Sequence, residues 1–102
     1  MAENLTPSVA VIIAAYNAEK TIARAVVSAL AQPEVAEVWV VDDASRDGTV
    51  DIVLAADDGS GRLKVIKQSP NAGPSAARNR AIAESKAPWL TVLDADDFFM
   101  EG

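Results

Sequence analysis

A chain of 102 residues, half of them hydrophobic, fits one domain with a modest core, and its composition is that of a folded protein. Fifteen Asp and Glu against nine Lys and Arg leave a net charge of -6, which repels phosphate backbones and argues against nucleic-acid binding. The lack of Cys and His removes disulfides, thiolate or imidazole metal sites and His bases, so any metal held here must be a hard ion bound by oxygen.

The first predicted element is a strand over Val9 to Ala15, a continuous apolar run of the kind buried on both faces of a parallel sheet. A helix is predicted from Ala18 to Ala31, with Ile22, Val26, Ala29 and Leu30 on one face, Asn17 as its N-cap and Pro33 closing it. Val38 to Val41 form a second strand, and Ser45 to Gly48 read as a turn. A second helix follows with Val50, Val53 and Leu54 as its stripe, stopping near Gly59 to Gly61. Leu63 to Ile66 make a third strand, and Gly73 with Pro74 opens a third helix. The small residues Ala76, Ala77, Ala81 and Ala83 would let that helix lie close to a sheet. Trp89 to Leu93 are the fourth strand, and both Trp39 and Trp89 are expected in the core.

The order βαβαβαβ implies one α/β domain over residues 1–102, with three αβα layers and a parallel, Rossmann-like sheet joined by right-handed crossovers. The inferred strand order is 3-2-1-4. Phe98, Phe99 and Met100 follow the last strand with no further element to bury them, so truncation and self-association are both expected of this end. No run approaches the roughly 18 apolar residues of a membrane span. The opening Met1-Ala2-Glu3-Asn4 lacks the basic region and apolar run of a secretory signal. A cytoplasmic location is therefore expected, with attachment to the cytoplasmic face of a membrane only through a C-terminal part absent here.

Polar residues collect where the strands end: Tyr16-Asn17 after the first, Asp42-Asp43 after the second, and Asp94-Ala95-Asp96-Asp97 after the fourth. Open parallel sheets bind ligands beyond those ends, where the strand order reverses. In a 3-2-1-4 sheet the ends of the second and fourth strands lie roughly 10 Å apart, a span that suits a nucleotide with its base near Asp43 and its phosphates near Asp96. Carboxylates at Asp94 and Asp96 converge if the chain turns, offering oxygens to Mn2+ or Mg2+, ions that bridge phosphates and act as Lewis acids on a leaving diphosphate. A solvated turn or helix cap is the plain alternative for both acidic groups. The first strand-to-helix loop has no Gly and there is no Gly-x4-Gly-Lys-Ser/Thr loop, so neither a dinucleotide cradle nor a P-loop is available to hold phosphate. Arg78 is placed for a charge contact to the strand-end carboxylates or to phosphate, or is a surface helical Arg. Tyr16 either flanks the base or covers the sheet end.

The segments Val11 to Glu19, Val40 to Thr49, Asn71 to Asn79 and Leu93 to Asp97, in this order and spacing, closely resemble the family-2 glycosyltransferases of the GT-A fold. The resemblance covers nearly the whole chain. It implies inverting transfer of a sugar from a nucleotide-sugar donor, usually UDP-linked, to a glycan or lipid-linked acceptor in polysaccharide assembly. It implies that Ala14, Ala15, Tyr16 and Asn17 touch the nucleoside, that Asp42 and Asp43 serve the base, with Asp43 hydrogen-bonding it, that Asp94 lies near the ribose and Arg78, and that Asp96 binds the metal. Ala14-Ala15 departs from the Pro or Thr common before this Tyr, which weakens the expectation for the donor base. The general base of an inverting transfer is expected downstream, so this segment has no catalytic residue of its own and is expected to be inactive alone. Two rivals carry different expectations: a receiver-like Mg-binding signalling domain, whose acidic pair would follow the first strand, and a catalytically inactive nucleotide-binding module.

Overall fold

The computed structural model describes residues 8–99. Four strands, β1 (Val9–Ala15), β2 (Val35–Asp42), β3 (Leu63–Lys67) and β4 (Trp89–Val92), form one parallel sheet in the order β3-β2-β1-β4. Three helices connect them: α1 (Ile22–Leu30), α2 (Thr49–Ala55) and α3 (Pro74–Glu84). The order follows from burial. β1 is the most apolar segment and takes a central place, where both its edges are paired and both its faces are covered.

Its side chains alternate between two cores. Val11, Ile13 and Ala15 pack with Ile22, Val26 and Leu30 of α1 and Val53 of α2 on one face. Ala10 and Ile12 pack with Val41 and with Ala77 and Ala81 of α3 on the other. The Ala pair carries little bulk, so the backbone of α3 lies close over the sheet. Arg62, just before β3, closes the lower end of the first core by donating to the carbonyls of Leu30 (2.6 Å) and Val35 (3.0 Å).

Several local expectations are corrected. α1 starts at Ile22 and not at Ala18, because the preceding residues form a loop whose hydrogen bonds go elsewhere. The buried face of α2 is Thr49, Ile52, Val53 and Ala56, whereas Leu54 is 54% exposed; this short helix meets α1 along that i, i+3, i+4, i+7 row. Trp89 is 69% exposed, since among the described residues β4 pairs only with β1 and its first residue is left uncovered. Trp39 is half-buried beside α3, and its indole N–H donates to Glu37 (2.7 Å). At the other end, Phe99 does find a partner: its amide donates to the Ser28 hydroxyl (3.0 Å) and its ring packs against the first core. Phe98 lies under the Arg24 guanidinium, 4.2 Å from ring centroid to cation. Met100 lies outside the described residues.

Candidate functional site

All three predicted strand-end groups open on the carboxyl edge of the sheet, and the crossovers that carry them are tied together. The β1–α1 and β2–α2 loops exchange hydrogen bonds across their facing sides. Asn17 donates its amide to the Ser45 hydroxyl (2.8 Å) and accepts the Arg46 amide on Oδ1 (2.8 Å). Ala18 donates to Thr49 Oγ1 (2.8 Å), and Gly48 donates to Glu19 (3.2 Å). Asn17 is therefore a bridge between loops and not the cap of α1, and its left-handed φ of 48° is one that Asn tolerates. Asp47 accepts both the amide and the hydroxyl of Thr49. The Thr49 hydroxyl, ahead of burial that works the other way, holds the Asp47 carboxyl below its usual range.

Asp42 and Asp43 sit side by side but differ in what they meet. Asp42 is 4% exposed; one oxygen accepts the Ser45 amide (3.1 Å) and the other, Oδ1, is buried with no partner. Asp43 is the better served. The amides of Ala72 and Gly73 donate to Oδ1 and Oδ2, each at 2.8 Å, and Gln68 Nε2 donates to Oδ1 at 2.9 Å. The Ala72 amide leads these contacts in lowering the Asp43 pKa; burial opposes it, and Gln68 and Gly73 add to it. Asn71 completes the wrap by donating to the Asp43 carbonyl (3.0 Å). The carboxylate thus fixes the whole approach to α3. Gly73, at φ 94°, supplies the backbone turn that aims its own N–H back at Asp43.

Ala14, Ala15, Tyr16 and Asp43 line one cavity of about 130 Å3, closed on its far side by Pro74 at the start of α3. A second, more polar hollow of about 490 Å3 shares Tyr16 and is bounded by Ala44, Arg46, Ser69, Pro70 and Asn71. Tyr16, 53% exposed, stands between the two. A third, apolar hollow beside Val27, Leu30 and Ala56 lies at the opposite end of the sheet, away from every strand-end group. Gln68 lies outside every motif of the sequence, whereas Ala72, Gly73 and Pro74 fall in the segment Asn71 to Asn79, which carries the family resemblance without showing that its amides face Asp43.

At the end of β4 the chain turns, with the Asp97 amide donating to the Asp94 carbonyl (3.0 Å). Arg78 on α3 reaches this turn: Nη2 is 3.7 Å from Asp94 Oδ1, a long and partly exposed pair of small energetic weight. Its Nε is buried with no partner, so the guanidinium retains unused donor capacity. Asp94, Asp96 and Asp97 are all exposed. Among the described residues no three acidic groups converge in the manner of a complete metal site.

A three-layer, doubly wound α/β domain with its charged groups at the carboxyl edge, around the switch point between β1 and β4, is the class this architecture defines. A family model described as "Glycosyl transferase family 2" matches residues 10–102, and the chain belongs to that family. The chain is 60% identical over 94 residues to the succinoglycan biosynthesis protein ExoU of Rhizobium meliloti, covering 92% of this chain and 28% of ExoU. It is 39% identical over 93 residues to the Escherichia coli UDP-Glc:alpha-D-GlcNAc-diphosphoundecaprenol beta-1,3-glucosyltransferase WfaP, covering 90% of this chain and 36% of WfaP. Among solved structures, S. aureus TarS 1-349 in complex with UDP superposes with a TM-score of 0.81 at 34% identity, over 89% of this chain and 28% of that one. The mannosyltransferase PcManGT of Pyrobaculum calidifontis, in complex with GDP-Man and Mn2+, gives 0.81 at 28% identity, over 91% and 28%. The fold is accordingly the nucleotide-binding half of the GT-A type, and the chain spans well under half the length of each of these proteins.

Proposed function

We propose that this chain is the donor-binding domain of an inverting glycosyltransferase that uses a nucleotide-linked sugar, UDP-linked in the first instance, for transfer to a glycan or lipid-linked acceptor. The observation that carries it is the cavity at the end of β1, with the Asp43 carboxylate in its wall, set in the same carboxyl edge as the Arg78–Asp94 pair at the end of β4. Asp43 reads the base, Tyr16 covers it, and the Ala14–Ala15 floor leaves room for a planar ring. Arg78 and Asp94 lie toward the ribose and phosphates. The likeness in fold to TarS in complex with UDP and to PcManGT in complex with GDP-Man supports a nucleotide-linked donor.

Mn2+ or Mg2+ fits the groups available. Asp94 and Asp96 are exposed hard-oxygen donors on one turn, yet too few to enclose an ion. Such a set binds a divalent cation well only when phosphate oxygens complete the shell, so metal and nucleotide are expected to bind together. Asp96 is the residue assigned to the metal, with Asp94 assisting while it orients Arg78. When bound, the metal supplies Lewis-acid stabilisation of the leaving diphosphate. The base that accepts the proton of the attacking hydroxyl is assigned, as the family resemblance implies, to a carboxylate downstream of this segment.

Titration calorimetry with UDP tests the reading. Binding is expected to strengthen about tenfold or more with Mn2+ and to lose that gain in EDTA or in the Asp96→Asn variant, as a shared metal–phosphate shell requires. Equal affinity in EDTA would remove the metal role of Asp96. The 102-residue chain is expected to bind donor without transferring sugar, and measurable transfer would show that its base lies within it.

A further inference from the structure

Resting on the reading of Asp43 as the group that meets the donor base, we propose that Gln68 is a positioning residue that decides which Asp43 oxygen is presented, and so restricts the site to bases offering an N–H donor there. Gln68 is 9% exposed and its backbone is pinned by donation to the Asp42 carbonyl (2.7 Å), one residue past the last β2–β3 pair. From that fixed point its side-chain amide reaches Asp43 Oδ1 at 2.9 Å.

The lone pairs can be counted. An ionised carboxylate has about four acceptor directions, two on each oxygen. Gln68 Nε2 and the Ala72 amide take both on Oδ1, and the Gly73 amide takes one on Oδ2. A single direction is left, on Oδ2. All three partners are neutral donors, so a proton on either bonded position would face another proton, and Asp43 works only as an acceptor. Uracil and guanine carry a ring N–H between polar neighbours at the edge that such an acceptor reads. Cytosine and adenine carry a bare ring nitrogen there, which an acceptor repels. The two backbone donors come with the loop; among the described side chains, only Gln68 donates to this carboxylate.

The test compares UDP and CDP binding to the chain and to its Gln68→Met, Gln68→Glu and Asp43→Asn variants. The unaltered chain is expected to prefer UDP by about tenfold or more, a ratio within what one matched or mismatched hydrogen bond supplies, and Gln68→Met is expected to narrow it several-fold. Gln68→Glu keeps the shape but sets two carboxylates in contact, so one of them gains a raised pKa. UDP affinity in that variant is expected to fall about tenfold at pH 8 and to recover toward pH 5, where the pair shares a proton. A purely structural Gln68 would lower thermal stability in both variants without changing the UDP-to-CDP ratio or its pH profile. That outcome, with UDP still preferred by the unaltered chain, overturns the role of Gln68 and leaves the reading of Asp43 standing. No UDP preference in the unaltered chain, together with no effect of Asp43→Asn, overturns the reading of Asp43 itself.

Discussion

Asp43 shows how one side chain can tie together groups remote in the chain, and in the proposed reading the same carboxylate also meets the donor base. Its carboxylate gathers the amides of Ala72 and Gly73 and the side chain of Gln68, groups 25 to 30 residues further along the chain. Replacement by Ala would leave three donors facing a void. Asp43→Ala is expected to cost about 3 kcal/mol or more in urea unfolding, the scale set by stranding buried partners of a charged group. The sign with pH follows from the lowered native pKa. The unfolded carboxyl titrates near 3.9, so the contribution is complete above about pH 5 and disappears as the pH falls through the depressed native value. Asp43→Ala is therefore expected to flatten the acid limb of the stability profile, and an unchanged limb would mean the cradle contributes nothing to folding. The acidic residue itself was visible from its place after an apolar strand. Its partners were not, because nothing in the spacing of Gln68 or Ala72 marks them as donors until β3 is laid beside β2.

Between elements, the loops after β1 and β2 act as a single unit. Their cross-bonds explain why α1 begins four residues later than its apolar pattern suggests: Asn17 and Ala18 spend their amides on Ser45 and Thr49, not on a helical turn. The same loop pair stores backbone strain. Ala44, between Asp43 and Ser45, has φ 65°, a left-handed conformation that its Cβ disfavours. Ala44→Gly would relieve the contact but loosen the unfolded chain, and the relief is expected to win by about 0.5 kcal/mol in a thermal melt. A clear loss of stability would show that the Ala44 methyl packs against something that repays its strain. The burial of Thr49 was equally out of reach of pattern reading, since a hydroxyl joins an apolar row only when a neighbouring loop amide satisfies it. Trp89 erred in the opposite direction: a large aromatic in an apolar strand looks like core, yet the inferred order 3-2-1-4 already set that strand at an edge, where Trp89 is left uncovered.

For the molecule as a whole, the two faces of β1 hold the domain together. Ile12 is fully buried against α3, whereas Ile82 on α3 itself is 41% exposed. Ile12→Ala is expected to cost about 2–5 kcal/mol and Ile82→Ala under about 1 kcal/mol, a contrast that denaturant melts resolve easily. Similar losses at both positions would mean that the outer face of α3 is covered in solution. The acidic balance of the chain, the parallel sheet and the strand-end carboxylates agree with one another, and the receiver-like alternative fails because the acidic pair follows β2 while β1 ends in Tyr16 and Asn17.

The sequence by itself determined the element types, the parallel sheet and the family, because the core strands are mostly apolar and the acidic groups collect just past their ends. It also placed Asp43, Arg78, Asp94 and Asp96 on that one edge. Only the tertiary structure decided which of these groups are already engaged. Asp43 is three-quarters saturated by a loop remote in sequence, Asn17 is a bridge between loops, and Asp94 and Asp96 stay open to solvent. The inferred strand order 3-2-1-4 holds, but hydrogen-bond partners across 25 or more residues depend on strand register and loop path, which local spacing does not contain.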